Sequence, residues 1–175
     1  MEHPEFEEVF ETLPGHGWLT FREAQLLWRI AETTTGPILE VGCYYGRSTV
    51  LLAALGRPMY CVDPFDHFDT ADPSGEIIKA AFLDNLATRN IINVQLFCEK
   101  IEDWQIRSAG FAYLDGDHTC DGTTNQINAA LATGAKTLCI HDYSNTGGGR
   151  SVVKAIDASA LDVQKVTGSM AHCSV

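Results

Sequence analysis

The sequence predicts an α/β protein: a doubly wound, mostly parallel seven-stranded sheet with a C-terminal antiparallel hairpin and helices on both faces. Three observations predict it. Short apolar runs alternate with helically spaced stretches of about 10–15 residues, the pattern of βαβ units in a sheet covered on both sides. The 175 residues, 45% apolar and 20% charged, are enough for one packed core. No internal repeat, low-complexity tract or linker interrupts the alternation.

The elements follow in order. Thr20-Phe21-Arg22-Glu23 is a capping box, and Ala24, Leu27, Trp28 and Ala31 recur behind it at helical spacing. Thr33 to Pro37 stops that helix, and Ile38 to Gly42 reads as a buried strand. A helix from Arg47 to Leu55 ends at Gly56, and Met59 to Asp63 forms the second strand. A polar loop, Pro64 to Gly75, precedes a helix from Glu76 to Thr88. Asn93 to Phe97 and Phe111 to Leu114 are the third and fourth strands. A helix from Gly122 to Ala132, a strand from Thr137 to Ile140 and a helix from Arg150 to Ser159 come next. Val163 to Thr167 and Met170 to Val175 form a hairpin turning at Gly168-Ser169.

Charge excludes several partners. Twelve basic against 23 acidic residues give a net charge of −11, a surface that repels nucleic-acid phosphates and anionic lipid. Mean hydropathy is −0.04, and no apolar run reaches the ~18 residues of a membrane span. Nine acids carry most of the excess: Glu2, Glu5, Glu7, Glu8 and Glu11, then Asp63, Asp66, Asp69 and Asp72. The first group reads as a solvated face without chemistry. The N-terminus lacks the basic and apolar regions of a signal peptide. The six cysteines include no C-x-x-C pair, so buried free thiols and a cytoplasmic location are expected.

In open sheets of this kind ligands bind beyond the carboxyl ends of the strands, where strand order reverses. The stations to inspect are 42–48, 63–66, 98–100, 115–118 and 141–145. The first, Glu40 to Thr49, has glycines for a tight turn, but it is no P-loop, and Tyr44 stands where a dinucleotide fingerprint needs its second glycine. Glu40, a carboxylate inside a buried strand, needs a partner, and a ligand ammonium would serve. Asp63 ends the second strand, where an acid can take ribose hydroxyls. Leu114-Asp115-Gly116-Asp117-His118 and Cys139-Ile140-His141-Asp142-Tyr143 end neighbouring strands. Carboxylates and histidines converging there call for a cation or a proton, and His118 is a candidate to take that proton. Trp18 and Trp28 read as packing residues.

Ile38 to Thr49 resembles the first motif of class I S-adenosylmethionine-dependent methyltransferases, in the branch of catechol-type and macrolide-sugar O-methyltransferases. Gly17-Trp18-Leu19-Thr20 is similar to the bacterial members, and order and spacing match from about residue 17 to the end. The resemblance implies a Rossmann-like fold in a single domain, 1–175, with a helical segment, 1–35, before a cofactor-binding core, 36–175. It implies that Glu40 meets the methionyl ammonium, that Gly42, Tyr44, Gly46 and Ser48 surround the methionyl part, and that Asp63 holds the ribose. Glu99 falls at an adenine-side position, and Asp115 is shared between cofactor and metal. Asp115, His141 and Asp142 become ligands for Mg2+ or another divalent cation, with His118 as the general base beside Asp117. Tyr143 departs from the asparagine of catechol-type members. The implied reaction is O-methylation of a small hydroxylated acceptor, its specificity set by loops carrying Asp66, His67, Phe68, Asp69, Trp104 and Tyr143. A homodimer through the N-terminal segment is the expected assembly. The competing readings are a nicotinamide oxidoreductase, a metal-dependent hydrolase and a non-catalytic binding domain on the same fold.

Overall fold

A computed structural model of the chain describes residues 5–66 and 74–175. Residues 38–62 and 94–140 supply five parallel strands: β1 (Ile38–Val41), β2 (Met59–Val62), β3 (Val94–Phe97), β4 (Phe111–Leu114) and β5 (Thr137–Ile140). The hairpin β6 (Asp162–Thr167) and β7 (Met170–Ser174) follows, its turn at the expected Gly168-Ser169. Strand order is β3-β2-β1-β4-β5-β7-β6, with β7 antiparallel to β5. The order reverses between β1 and β4, so a crevice opens beyond the ends of those two strands.

Helices cover both faces. α2 (Phe21–Glu32), α3 (Arg47–Ala53) and α4 (Glu76–Ala87) contribute to one apolar cluster, and α5 (Cys120–Ala132) and α6 (Gly149–Asp157) to the other. Strand periodicity divides the side chains between them. Ile38, Phe111 and Tyr113 point into the first cluster, and Leu39, Ala112 and Leu114 into the second. Glu40, between Ile38 and residue 42 in phase, therefore faces the first cluster, with Cys61 and Tyr113 as its register partners on either side.

Two elements differ from the sequence expectation. α1 (Phe6–Glu11) lies inside the acidic run expected to be only a solvated face. Glu7 and Glu8 do point outward, but Phe6 and Val9, three residues apart, are buried. Phe6 meets Phe21 edge-on at 5.3 Å and lies 6.1 Å from Trp28, so tertiary packing makes this single-face helix stable. Glu2 of the same run, and His67, Phe68, Asp69 and Asp72 of the second acidic stretch, lie outside the described residues. α5 starts two residues early, because Thr119 accepts from Gly122 N at 3.0 Å and caps it. Among the described residues no helix is long and apolar enough to cross a membrane.

Candidate active site

A cavity of about 780 Å3 occupies the crevice. Three segments line it: 16–19 before α2, the turn 42–48 between β1 and α3, and the ends of β4 and β5.

The turn is built by close approach. Gly42 has φ 83°, and a Cβ there would stand 2.3 Å from the Asp115 carbonyl oxygen, so only glycine brings the β1 and β4 ends together. Asp63 fastens the turn from beneath. Its Oδ2 accepts from Cys43 N at 2.7 Å and Tyr44 N at 3.0 Å, and its Oδ1 accepts from Phe65 N at 2.7 Å. These bonds hold Tyr44 at φ 49°, left-handed backbone that persists only where its surroundings over-determine it. Asp63 is fully buried in this arrangement and outside the cavity lining. Gly42, Tyr44 and Ser48 line the cavity, while Gly46 is packed under Phe82.

Glu40 lies behind Ser48, fully buried. Ser48 Oγ donates to its Oε1 at 2.5 Å and Cys61 Sγ to its Oε2 at 3.4 Å. Burial pushes its carboxyl up to about 7, against the pull of the Ser48, Thr49 and Cys61 donors and with a further push from the Asp115 charge.

Arg47 lines the cavity and fastens its opposite wall. Its Nε donates to the Leu19 carbonyl at 3.1 Å and its Nη1 to the Pro14 carbonyl at 2.5 Å. The strapped segment presents His16 and Trp18 at the cavity mouth. Trp18 stacks on Tyr44 at 5.6 Å, and His16 on Tyr45 at 4.7 Å. Trp18 is 77% exposed, so the expectation of a packing role is corrected for it and holds for Trp28, at 4%. Trp104, expected in a specificity loop, is also at 4%, packed between Tyr60 and Phe97 in the core.

The acidic side comes from β4 and β5. Tyr113, two residues before Asp115 and hence on the same face, donates its hydroxyl to Asp115 Oδ2 at 2.9 Å. His141 Nδ1 lies 3.3 Å from Asp115 Oδ1 and 3.7 Å from Asp142 Oδ1. His118 Nδ1 lies 3.4 Å from Asp142 Oδ2. Asp142 has φ 57° and joins Tyr44 as a non-glycine residue in left-handed backbone at the cavity. Asp115, His118 and Asp142 each offer a ligand atom within 4.8 Å of the others, a hard-oxygen and imidazole set suited to a divalent cation. His141 is buried behind these carboxylates. Burial alone would lower its pKa, but the Asp115 hydrogen bond and the Asp115, Asp142 and Glu23 charges outweigh burial and raise it to about 9.

Two of the expected residues stand apart. Asp117 accepts from Thr119 N at 2.8 Å and lies over Gly122, where a Cβ would come within 2.2 Å of its Cγ; it builds the start of α5. Glu99 sits at a bend after β3, outside the cavity lining. Sequence reasoning missed Tyr113 and His16. The two-residue offset between Tyr113 and Asp115 on one strand was the available signal for the first, and nothing local marks the second.

The doubly wound sheet, with its cavity at the switch point between a glycine turn and two acidic strand ends, defines the class I methyltransferase architecture. The chain belongs to the methyltransferase domain family, which matches residues 39–143. No curated protein matches the sequence. Solved structures with the same fold include an O-methyltransferase from Bacillus cereus in complex with SAH, at 17% identity and a TM-score of 0.62, covering 97% of this chain and 90% of that one. TomG from Streptomyces achromogenes, an O-methyltransferase of tomaymycin synthesis solved with SAM, is 13% identical with a TM-score of 0.63, covering 97% and 88%. CalS11, a TDP-rhamnose 3'-O-methyltransferase of calicheamicin biosynthesis, is 15% identical with a TM-score of 0.57, covering 97% and 90%.

Proposed function

We propose that the chain transfers a methyl group from S-adenosylmethionine to a hydroxyl oxygen of a small acceptor. The observation that carries this reading is the convergence of Asp115, His118 and Asp142 on the same cavity as the Gly42–Ser48 turn, with Glu40 buried directly behind Ser48. Similar folds solved with SAM or SAH support the choice of donor.

The residues fit that donor. Glu40 draws on the Ser48 and Thr49 hydroxyls and the weak Cys61 thiol but, among the described residues, on no cation, so an ammonium would complement it. S-adenosylmethionine, when bound, supplies an electrophilic methyl on a sulfonium. The chain's main contribution is to place the acceptor oxygen in line with it. His118 has its Nδ1 toward Asp142, which leaves Nε2 to take the hydroxyl proton as the O–C bond forms. Asp115 and Asp142 would hold a divalent cation, whose chemistry would be to lower the pKa of the acceptor hydroxyl. His141 contributes from behind, orienting the carboxylates.

The test is calorimetric titration with S-adenosylhomocysteine, followed by methyl transfer to a panel of phenolic and polyhydroxy compounds. His118→Ala is expected to lower turnover roughly 10²–10⁴-fold and leave S-adenosylhomocysteine affinity within about twofold. Full activity in that variant would remove the base assignment. Absence of binding at millimolar S-adenosylhomocysteine would remove the donor.

A further inference from the structure

Glu23 and Ser169, which form a buried polar chain ending at His141, have no part in the reading above. Glu23 is 3% exposed. Its Oε2 accepts from Thr20 N at 3.0 Å and Thr20 Oγ1 at 2.6 Å, which closes the capping box of α2. A capping box asks nothing more of the residue. Yet the second oxygen, Oε1, reaches across 146 residues of sequence and accepts from Ser169 N at 2.8 Å and Ser169 Oγ at 2.9 Å. The β6–β7 turn is moulded on this carboxylate: Gly168 has φ 59°, and a Cβ there would stand 2.4 Å from Glu23 Oε1.

The chain continues to the cavity. Ser169 Oγ lies 3.4 Å from His141 Nε2. A hydroxyl has one proton, and this one is given to Glu23, so toward His141 the oxygen is an acceptor and Nε2 the donor. The other ring edge, Nδ1, faces Asp115 and Asp142. Those carboxylates repel each other, and Asp142 sits in left-handed backbone, so their arrangement needs support from the buried side.

We propose that Glu23 and Ser169 are positioning residues. Through the Ser169 hydroxyl, and with Glu23 Oε1 itself 3.7 Å from His141 Nε2, they hold the His141 ring edge-on to Asp115 and Asp142, and so couple α2 and the C-terminal hairpin to the cavity. The hydrogen-bonded chain stands on its own geometry; its consequence for methyl transfer rests on the function proposed above.

Ser169→Ala removes the hydroxyl and keeps the Ser169 N–H on Glu23, so the tie between α2 and the hairpin survives. Ser169→Thr restores the hydroxyl. The readout is the ring N–H signals of His141 in proton–nitrogen NMR of the full chain labelled with ¹⁵N-histidine, identified by their loss in His141→Gln. The wild type should show a protected Nε2–H. Ser169→Ala should lose it through exchange with water at least ~10-fold faster, and Ser169→Thr should regain it. In methyl transfer, Ser169→Ala should lower kcat by about 10- to 100-fold with the donor KM unchanged, the usual range for groups that orient a site's ligands. An unchanged Nε2–H signal in Ser169→Ala overturns the proposal, as does an equal loss in Ser169→Thr. A wild type that binds no S-adenosylhomocysteine would sink the methyltransferase reading and leave the NMR result to decide this one.

Discussion

Two glutamates are both buried and behave oppositely. Glu23, at the start of α2, is 3% exposed, and Glu40, at the end of β1, is fully buried. Burial pushes both carboxyls up. At Glu23, donors from Thr20 and Ser169 overcome that push and bring the pKa to about 2. At Glu40, Ser48, Thr49 and Cys61 do not overcome it, and the value stays near 7. Donors and depth both separate them: Glu23 accepts four hydrogen bonds near the start of a helix, while Glu40 lies deeper, inside a fully buried strand, with fewer. A buried carboxylate with its acceptor positions filled is part of the framework. One left short of donors marks a place where a ligand completes the set.

The largest expected effect breaks the framework glutamate. Glu23→Ala removes the capping partner and strands the Ser169 donors, and should destabilise the protein by roughly 3 kcal/mol. Urea denaturation measures this; a loss under about 1 kcal/mol would show that the two glutamates are more alike than their donors imply.

The next effect runs the other way. Glu40 binds its proton more tightly folded than unfolded, so its ionisation lowers stability as pH rises from about 4.5 to 7, and the cost is complete above that. Glu40→Gln should therefore stabilise the ligand-free protein by about 2 kcal/mol near pH 8 and flatten that part of the profile. Glu23 has the opposite sign: its contribution is full above about pH 4.5 and is lost as pH falls toward 2. Melting temperatures of both variants across this range would separate the two; a Glu40→Gln profile parallel to wild type contradicts the assignment.

The smallest effect concerns the acidic strand ends. Mg2+ at ten times its dissociation constant should stabilise the protein by about 1.4 kcal/mol, seen as a rise in melting temperature that EDTA reverses. Asp142→Asn should abolish the rise. An unchanged melting temperature at millimolar Mg2+ would leave Asp115 and Asp142 without a cation.

What the sequence disclosed follows the same division. Strands and their order of chemistry were legible because period-2 burial and strand-end polar residues are local signals. Glu40 stood out as a charge inside an apolar strand, and Glu23 was visible as a capping residue. Its second role was not visible, because Ser169 comes to it only through the sheet order that places the hairpin beside β5. Asp63 was legible as a strand-end acid, but not its three backbone bonds, which depend on the fold of the 43–44 turn. Trp18 was misjudged because burial of an aromatic in a segment without periodicity is decided by a distant group. Here that group is Arg47, which straps 14–19 across the cavity mouth. α1 was hidden by its charge, since three apolar positions in a six-residue helix carry little pattern.

The most direct test is calorimetry of S-adenosylhomocysteine binding near pH 6.5 in buffers of different ionisation enthalpy. An ammonium placed against Glu40 would pull its pKa below that pH, so binding should release a substantial fraction of one proton, and Glu40→Gln should bind with no release. Binding without proton release in the wild type, or no binding at all, would contradict the assignment of Glu40 as the donor's partner.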